Sequence, residues 1–351
     1  MSPPPPAVAV LTPTYNQEQF IGAAIQSVRA QSFSDWEMVV VDDGSTDGTV
    51  AVVEAVADPR IRLLRRPHGG LAGLGAAYAA GLATTTAPLV AILEGDDEWP
   101  PDKLGRQVPV FADANVVLAY GSAELIDERG CVYATYRPRP VGEAAENRPR
   151  GSILPQLLQQ NFIVAASVIV RREALVGVGG FWQPAGIPYV DHPTWLRLAL
   201  EGPFAFSPQV VGRWRRHTAQ FTTTRATGPQ LDNRGFRAEV LGEAEERGLV
   251  RPGGSLGHMI QSGPVTNARW AQVSTFRLAL LEGSVGAAVT AARPLIGSGR
   301  FKWMVIAAVG IASRMVGADL EWTFRLTNRF SWPSRRHVRQ DRRAARRSQL
   351  S

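Results

Sequence analysis

The sequence predicts an α/β protein whose mostly parallel, Rossmann-like sheet is flanked by helices and followed by a helical C-terminal extension. Three observations support this prediction. Short apolar runs of strand length alternate with amphipathic segments over the first hundred residues. Such alternation is typical of a parallel sheet with helices on both faces. From about residue 230 onward, apolar residues recur at a spacing near 3.6, which indicates helices.

The first half of the chain supplies strands and helices in turn. Apolar runs predict buried strands at residues 8–11, 36–41, 61–64 and 88–93. Between them, helices are predicted at residues 21–30, 50–56 and 71–83. The first of these helices has apolar residues at positions 21, 24, 25 and 28, which form one face. In open sheets of this kind, ligands bind beyond the carboxyl ends of the strands.

The second half gives weaker signals. Strands are expected at residues 116–120, 131–136, 165–170 and 210–214, a short helix at 191–200, and a polar Pro/Gly/Arg loop at 137–151. Further helices are expected at residues 234–248, 266–282, 284–294 and 302–316. The sequence contains no internal repeat.

Composition excludes several classes of protein. Cys131 is the single cysteine, which excludes an intramolecular disulfide and a cysteine-based metal site and favours a cytoplasmic location. The start, MSPPPPAVAV, lacks the basic region of a signal peptide, so export is not expected. The longest apolar run, residues 303–313, falls far short of the roughly 20 residues of a membrane-spanning helix.

The positive charge is concentrated at the C-terminal end. The net charge is +7, but residues 325–351 hold nine arginines against Asp341, which gives +8 there. The rest of the chain therefore sums to −1 (+7 minus +8). Any function of a basic patch must belong to this basic tail.

Acidic residues follow two of the predicted strands. VVVDDGSTDGT spans residues 39–49, and EGDD spans residues 94–97. Crowded carboxylates repel each other unless a cation neutralises them, and oxygen ligands suit Mg²⁺ or Mn²⁺. Each stretch alone is equally consistent with helix caps and tight turns. Because both stretches end at the same edge of the sheet, one shared site is favoured over two separate caps.

An aromatic residue lies beside these acids. TPTYN, residues 12–16, ends the first strand and contains Tyr15. The ring of Tyr15 suits stacking on a base, and Asp43 suits accepting a base N–H, as in uracil or guanine. The alternative for Tyr15 is ordinary packing in the first turn.

Four stretches resemble, in order and spacing, the inverting glycosyltransferases of family 2, which have the GT-A fold. They are TPTYN, VVVDDGSTDGT, LEGDDEWPPDKL and VGGFWQPAGIPYVDHPTWLRLAL. The resemblance covers residues 7–222 and implies a nucleotide-binding half at 7–110 and an acceptor half at 111–222. It leaves a Pro-rich leader at 1–6, a helical region at 223–324 and the basic tail at 325–351.

The resemblance implies roles for single residues. Thr12, Tyr15 and Asp43 would contact the nucleotide base, and Asp96 the ribose or phosphate. Asp97 resembles the ligand of a divalent metal ion (Mg²⁺ or Mn²⁺) that bridges the diphosphate. Asp191, six residues before Arg197, corresponds to the catalytic base. Such a transfer is a single displacement and needs one base to accept the proton of the acceptor hydroxyl.

Two positions differ from the family pattern, and two assignments have alternatives. Glu94 replaces the first aspartate of the usual DxDD and keeps its charge, whereas Val190 replaces the acid before the base and does not. Asp191 suits a helix cap as well as a base. His217, in RWRRHTAQFTT, resembles a residue that completes the metal shell or touches the diphosphate, although a histidine beside arginines is more often a surface residue.

These features predict an enzyme that moves a sugar from a nucleoside diphosphate sugar to a glycan or lipid-linked acceptor in cell-surface polysaccharide assembly. The basic tail and tryptophans 303, 322 and 332 suit an anionic membrane surface, so the protein is expected at the inner face of the membrane. A solvated tail or a nucleic-acid contact is the alternative, but no nucleic-acid fold signature accompanies the charge. The rival functions are a nucleotidyltransferase, which lacks its basic glycine-rich loop here, and a catalytically silent nucleotide-sugar-binding protein.

Overall fold

The computed structural model describes residues 5–138, 145–217 and 233–261, together with positions 286, 289, 290, 292, 293 and 311. Its eight strands are β1 Val8–Thr14, β2 Trp36–Asp42, β3 Ile61–Arg65, β4 Leu89–Ile92, β5 Leu118–Ile126, β6 Val132–Tyr136, β7 Ile169–Arg171 and β8 Phe204–Arg215. All of them belong to one mixed sheet in the order β3-β2-β1-β4-β7-β5-β6, with β8 paired to β5.

The first four strands form the parallel half of the sheet. β2 pairs in parallel with both β1 and β3, and β1 pairs in parallel with β4. β7 is antiparallel to β4 and to β5, β6 is antiparallel to β5, and β8 returns parallel to β5. The predicted fold class is confirmed for the described residues, with an antiparallel addition that the sequence did not reveal.

Helices cover the sheet and complete its connections. They are α1 Ile21–Arg29, α2 Thr49–Glu54, α3 Gly73–Ala83, α4 Lys103–Gln107, α5 Leu154–Leu157, α6 Arg172–Gly177, α7 Asp191–Ala199, α8 Arg234–Glu246 and α9 Ser255–Gln261. Short 3₁₀ segments occupy Gly70–Ala72, Val108–Ala112 and Ala165–Ser167. The predicted helix at 71–83 is therefore α3 preceded by a 3₁₀ turn.

The valines of β2 divide between two hydrophobic cores, one on each face of the sheet. Val39 and Val41 pack in the core that contains Tyr78 of α3. Met38 and Val40 pack in the other core, with the apolar face of α1. Successive residues of a strand point to opposite faces, so a strand buried on both faces is apolar throughout.

The predicted strand at residues 165–170 is partly wrong. Ala165–Ser167 forms a 3₁₀ turn, and the strand that follows, Ile169–Arg171, has three residues. The indole N–H of Trp99 donates to the carbonyl oxygen of Ala166 at 2.9 Å, and the amide of Gln107 donates to that of Ser167. These side chains bond carbonyl groups that a strand would otherwise use for pairing.

Two compact units divide the chain, one of residues 1–216 and 230–264 and the other of residues 217–229 and 265–351. Every element named above lies in the first unit. In the second, positions 286, 289, 290, 292, 293 and 311 are helical, and the other residues of the helices predicted at 266–316 lie outside the described residues. The domain boundaries at 222 and 324 stay predictions. Within the described part of the chain, no helix has the length and apolar character needed to cross a membrane.

Candidate active site

Three adjacent parallel strands end at one edge of the sheet, and the candidate residues follow these ends. β1 lies between β2 and β4, so the three polar segments after these strands are neighbours. The backbone N–H of Asp43 donates to the carbonyl oxygen of Thr14 at 2.9 Å, and that of Gly95 donates to Pro13 at 3.1 Å. TPTYN, DDG and EGDD therefore form one continuous rim.

Asp43, at the end of β2, is held by the segment that follows β3. Its carboxylate forms an ion pair with Arg66, lies 3.0 Å from the Nδ1 of His68 and accepts the backbone N–H of Gly69. Gly44 makes this approach feasible, because a Cβ there would lie 2.7 Å from the backbone nitrogen of His68. Gly44 also has φ +77°, a conformation that favours glycine.

Tyr15 presents an aromatic surface beside Asp43. Its side chain is 40% exposed, and its ring stacks on the imidazole of His68 with centroids 4.0 Å apart and planes 15° apart. Thr12 lies inside β1 and is fully buried, and its Oγ1 has no hydrogen-bond partner. The structure thus brings Tyr15 and Asp43 together at the rim and places Thr12 beneath them. Their roles as base contacts stay predictions.

The other acids of DDGSTDGT hold the turn itself. Asp42 accepts the backbone N–H of Ser45 at 3.2 Å. Asp47 accepts the backbone N–H groups of Thr49 at 3.0 Å and of Glu18 at 3.1 Å. The alternative of a tight turn therefore applies to Asp42 and Asp47, whereas Asp43 is the acid beside the aromatic surface of Tyr15.

An acidic cluster of Glu94, Asp96 and Asp97 follows β4. One carboxylate oxygen from each lies within 4.8 Å of the other two, and among the described residues this is the group able to share a metal ion. Asp96 and Asp97 are buried, at 6% and 3% exposure. Three carboxylate ligands, two of them buried, suit a hard cation such as Mg²⁺ or Mn²⁺.

The raised pKa values in the acidic cluster favour the binding of a cation. Burial raises the pKa of Glu94 to about 8, and Asp96 and Asp191 contribute to the rise. Burial, Asp96 and Glu94 likewise raise the pKa of Asp97. The hydroxyl of Tyr78, on α3, lies 3.5 Å from Glu94 and adds no charge, because burial and the surrounding carboxylates raise its own pKa. A divalent cation would offset the repulsion among these carboxylates.

Arg215 fixes the backbone of the acidic cluster. Its backbone N–H donates to Asp97 at 2.9 Å, and its buried guanidinium donates to the carbonyl oxygens of Asp96, Asp127 and Glu128. It also forms an ion pair with Glu98. Arg215 thus joins the end of β8 to the loop after β4.

Arg216 is a second arginine near the acidic cluster. Its guanidinium lies over the ring of Trp214, 4.5 Å from the centroid. Burial lowers its pKa, whereas Asp97 and Asp96 act in the opposite direction, which shows that both acids are near. Arg216 therefore suits an anion that binds beside Asp96 and Asp97.

Asp191 is the first residue of α7 and lies near the acidic cluster. Its field contributes to the raised pKa of both Glu94 and Tyr78. Its Oδ2 accepts the amide N–H of Asn161 at 2.6 Å, and its carboxylate also accepts the backbone N–H of His192. Burial raises the pKa of Asp191 and these bonds oppose the rise. The carboxylate thus bonds to the first turn of α7, which has Val190 and not Asp191 as its N-cap, and lies near the site.

The residues around Asp191 explain two features of its motif. Val190 is 2% exposed and packs in a hydrophobic core, so an acid at that position would be buried. Arg197 points away from the acidic cluster. It forms an ion pair with Glu239 of α8 at 2.9 Å and lies over the ring of Trp182. It therefore holds α7 against α8.

Several residues of the site were missed from the sequence, and one candidate cannot be placed. Arg66 and His68 follow β3, the same edge of the sheet, and that position was a usable signal. Asn161 lies in a segment without a motif, so no signal pointed to it. His217 belongs to the second unit, so its assignment as a metal ligand stays a prediction.

Comparison with known proteins identifies the family. The family model for glycosyl transferase family 2 matches residues 9–175. A glucosyltransferase of Escherichia coli, UDP-Glc:alpha-D-GlcNAc-diphosphoundecaprenol beta-1,3-glucosyltransferase WfgD, is 32% identical over 195 residues, which are 54% of this chain and 69% of WfgD. The chain belongs to glycosyl transferase family 2. The matched region includes the rim, the acidic cluster and Asn161.

One further relative and one solved structure are also similar to this chain. An uncharacterized glycosyltransferase of Nostoc, alr2836, is 38% identical over 120 residues, so the match covers 34% of this chain and 37% of the relative. The solved structure of the mannosyltransferase PcManGT from Pyrobaculum calidifontis, in complex with GDP-Man and Mn²⁺, has a TM-score of 0.52 at 22% identity. That likeness covers 89% of this chain and 87% of PcManGT, and it confirms the GT-A fold alone.

Proposed function

We propose that this protein is an inverting, metal-dependent glycosyltransferase. It transfers a sugar from a nucleoside diphosphate sugar to a hydroxyl of a glycan or lipid-linked acceptor in cell-surface polysaccharide assembly. The observation that carries the proposal is the acidic cluster at the end of β4 with Asp191 beside it. WfgD, whose name gives UDP-glucose as its donor and a diphosphoundecaprenol-linked sugar as its acceptor, supports this class of substrates.

The donor site is assigned to the rim. Asp43 and the aromatic surface of Tyr15 suit a base that carries a ring N–H. Asp96 suits the ribose or phosphate, and Asp97 suits the metal ion together with Glu94. A bound divalent cation stabilises the charge on the departing diphosphate. Arg216 is suited to the same anion, because the charges of Asp97 and Asp96 act on its guanidinium.

Asp191 is assigned as the base of a single displacement. Its carboxylate takes the proton of the acceptor hydroxyl while that oxygen forms a bond to the anomeric carbon. The bond from this carbon to the diphosphate oxygen breaks, and the nucleoside diphosphate leaves with the electron pair. Burial raises the pKa of Asp191, which brings the carboxylate closer in basicity to a hydroxyl at neutral pH. Asn161 holds the Oδ2 of this carboxylate.

Calorimetry tests the donor site. UDP-, GDP- and dTDP-sugars are titrated into the wild type and Asp97→Ala, with Mn²⁺, with Mg²⁺ and with a chelator. We expect one nucleotide class to bind in the presence of the metal and to lose its affinity in Asp97→Ala. Asp102→Ala is the matched control, because Asp102 is an exposed aspartate bonded to Arg106. The absence of nucleotide binding under every condition contradicts the proposal.

Product analysis separates an enzyme from a silent binding protein. The wild type should transfer sugar to an acceptor, or hydrolyse the donor slowly in its absence, and NMR should show inversion at the anomeric carbon. Asp191→Asn should bind the donor with unchanged affinity and lose transfer by roughly 10²–10⁴-fold, the usual contribution of a general base. Equal activity of the wild type and Asp191→Asn would remove Asp191 from the mechanism.

A further inference from the structure

On α8 lies a buried guanidinium that forms no ion pair with the described residues. Arg237 is 3% exposed, and its Nη1 donates to the Oδ1 of Asn233 at 3.2 Å. Its Nε has no hydrogen-bond partner. Among the described residues, every other buried arginine or lysine forms an ion pair or contacts a ring, as Arg215 and Lys103 do, but Arg237 does neither.

An arginine in this state is unusual for a purely structural residue. A buried charge is costly unless it is paired, and removing it from water disfavours the charged form. Burial accordingly lowers the pKa of Arg237. A guanidinium carries five N–H donors in a planar fork that matches carboxylate and phosphate oxygens. Asn233 occupies a small part of this capacity, so Arg237 retains donors for an anion.

Arg237 lies near Tyr189, in the segment that leads to Asp191, the proposed base for the acceptor hydroxyl. The hydroxyl of Tyr189 bonds to the side chain of Asn233, and both Arg237 and Asp191 influence its pKa, in opposite directions. Tyr189 lies two residues before Asp191. Arg237 does not pair with Asp191, whose carboxylate is held by Asn161 and the backbone of His192.

His192, which packs against the residue next to Arg237, supplies no negative charge to the guanidinium. His192, on α7, packs edge to face against Phe236 with ring centroids 5.5 Å apart. Its Nε2 bonds to the carbonyl oxygen of Leu157 at 2.7 Å, and burial lowers its pKa to about 4. A neutral imidazole does not neutralise a guanidinium.

We propose that Arg237 binds an oxyanion, a phosphate or a carboxylate, that belongs to the acceptor substrate. This inference rests on the proposed function, because it concerns the acceptor whose hydroxyl Asp191 deprotonates. Arg237 would hold the charged group of the acceptor on α8, and Asp191 would receive the hydroxyl at the start of α7. Acceptors that lack a charged group would then bind weakly.

Binding of small probes without metal tests the site apart from the donor. Farnesyl diphosphate represents a phosphate acceptor, methyl glucuronide a carboxylate acceptor, and farnesol and methyl glucoside are their neutral counterparts. Each is titrated calorimetrically in a chelator into the wild type, Arg237→Met and Arg247→Met. Arg247 is the matched control, because it lies just past α8 and is exposed in ion pairs with Glu201 and Glu243.

We expect at least one oxyanion probe to bind the wild type and Arg247→Met equally. Its affinity for Arg237→Met should fall about tenfold or more, as for the loss of hydrogen bonds to a charged group. The probe that binds identifies phosphate or carboxylate, and the neutral probes should not distinguish the variants. Equal binding to Arg237→Met, or no binding of either oxyanion to the wild type, overturns the proposal.

Thermal melting and donor binding complete the test. Because Arg237 has no carboxylate partner, Arg237→Met should melt at the wild-type temperature or above it. A lower melting temperature without loss of probe binding would show a structural role. Arg237→Lys keeps the charge without the planar fork and should bind the oxyanion with intermediate affinity. Donor titration with Mn²⁺ separates the two proposals. If no donor binds, the proposed function fails. If a donor binds but Arg237→Met does not weaken binding of the oxyanion probes, only the inference about Arg237 fails.

Discussion

Asp191 and Asn161 show how one amide orients the candidate base. The Oδ1 of Asn161 accepts the backbone N–H of Ile163 at 3.2 Å, so its Nδ2 is left to donate to Asp191. This arrangement fixes which end of the amide faces the carboxylate. A bond of this kind stabilises the charged form of the acid and so opposes the effect of burial.

We expect Asn161→Ala to raise the pKa of Asp191 further, because the carboxylate loses the bond that favours its charged form. The acid limb of the pH profile of kcat/KM should move to higher pH, while donor affinity stays the same. The profile is measured for transfer to an acceptor, with Asn115→Ala, an exposed turn residue, as the control. An acid limb that does not move would show that Asp191 does not govern it.

Glu94 makes stability depend on pH in the absence of metal. Its pKa of about 8 lies above its ordinary value of 4.5, so between these pH values the folded protein keeps a proton that the unfolded chain has released. The free energy of unfolding therefore falls as the pH rises through this window. Melting in a chelator from pH 5 to pH 8 should show this fall, and Glu94→Gln should reduce it.

A divalent cation should reverse this pH dependence. Metal binding requires the deprotonated carboxylates, so Mn²⁺ should bind more tightly as the pH rises and should raise the melting temperature most near pH 8. The same melts with added Mn²⁺ test this expectation. A pH dependence that Mn²⁺ leaves unchanged would show that the acidic cluster does not hold the cation.

At the scale of elements, the start of α3 determines the position of Asp43. A Cβ at Gly73, the first residue of this helix, would overlap the carboxylate of Asp43. That carboxylate has little freedom to move, because Arg66, His68 and Gly69 all hold it. The packing of one helix end against one strand end thus sets the geometry of the proposed base site.

We expect Gly73→Ala to displace Asp43 and to weaken nucleotide binding about tenfold, which is the loss of a charge-assisted hydrogen bond. Calorimetry with the donor and Mn²⁺ measures the affinity. The control is Gly242→Ala on α8, where an added Cβ meets nothing within 4 Å. Gly242→Ala should leave affinity unchanged and stabilise the helix by roughly 0.5–1 kcal/mol. Unaltered affinity in Gly73→Ala would contradict the role of Asp43.

The parallel half of the sheet could be predicted from the sequence, because its strands are buried on both faces and separated by amphipathic helices. β1, β2 and β3 begin where predicted, since a short apolar run such as VVV is typical of a buried strand. The direction of β7 could not be predicted, because the apolar run AASVIV looks the same in either direction. The hydrogen bonds that Trp99 and Gln107, distant in the sequence, donate to this segment could not be predicted either.

The candidate site shows the same limit. Asp43 and Asp97 follow strand ends, and Asp191 begins a helix in a motif that resembles the family, so these three acids could be named from the sequence. The bonds of Arg215 could not be predicted, because a motif does not show that β8 brings a side chain among the carbonyl groups of another loop. Asn161 and Arg237 carry no motif, and only the tertiary structure brings Asn161 to Asp191 and Arg237 near Tyr189.

At the scale of the whole molecule, the positive charge and the proposed catalytic residues lie in different parts of the sequence. The acidic cluster and Asp191 belong to a part of the chain that sums to −1, and the basic tail at 325–351 carries +8. An anionic lipid surface attracts juxtamembrane basic residues by about 1 kcal/mol each. We propose that the basic tail binds such a surface and so brings the enzyme to a lipid-linked acceptor.

Vesicle sedimentation tests the basic tail. The full chain should bind vesicles rich in phosphatidylserine and not those of phosphatidylcholine alone. Replacing Arg342, Arg343, Arg346 and Arg347 by glutamine should weaken this binding at least about tenfold, and added salt should weaken it further because it screens the charges. Nucleotide binding should stay unchanged in the variant. Equal binding to both vesicle types would exclude a role for the charge.

The stack of His68 on Tyr15 has a consequence for the speed of donor binding. The imidazole of His68 covers one face of the tyrosine ring and lies 3.0 Å from the carboxylate of Asp43. A nucleotide that uses the same face and the same carboxylate must wait until His68 departs. Its association rate will therefore rise with concentration only up to a ceiling, which is the rate at which the protein releases its own side chain.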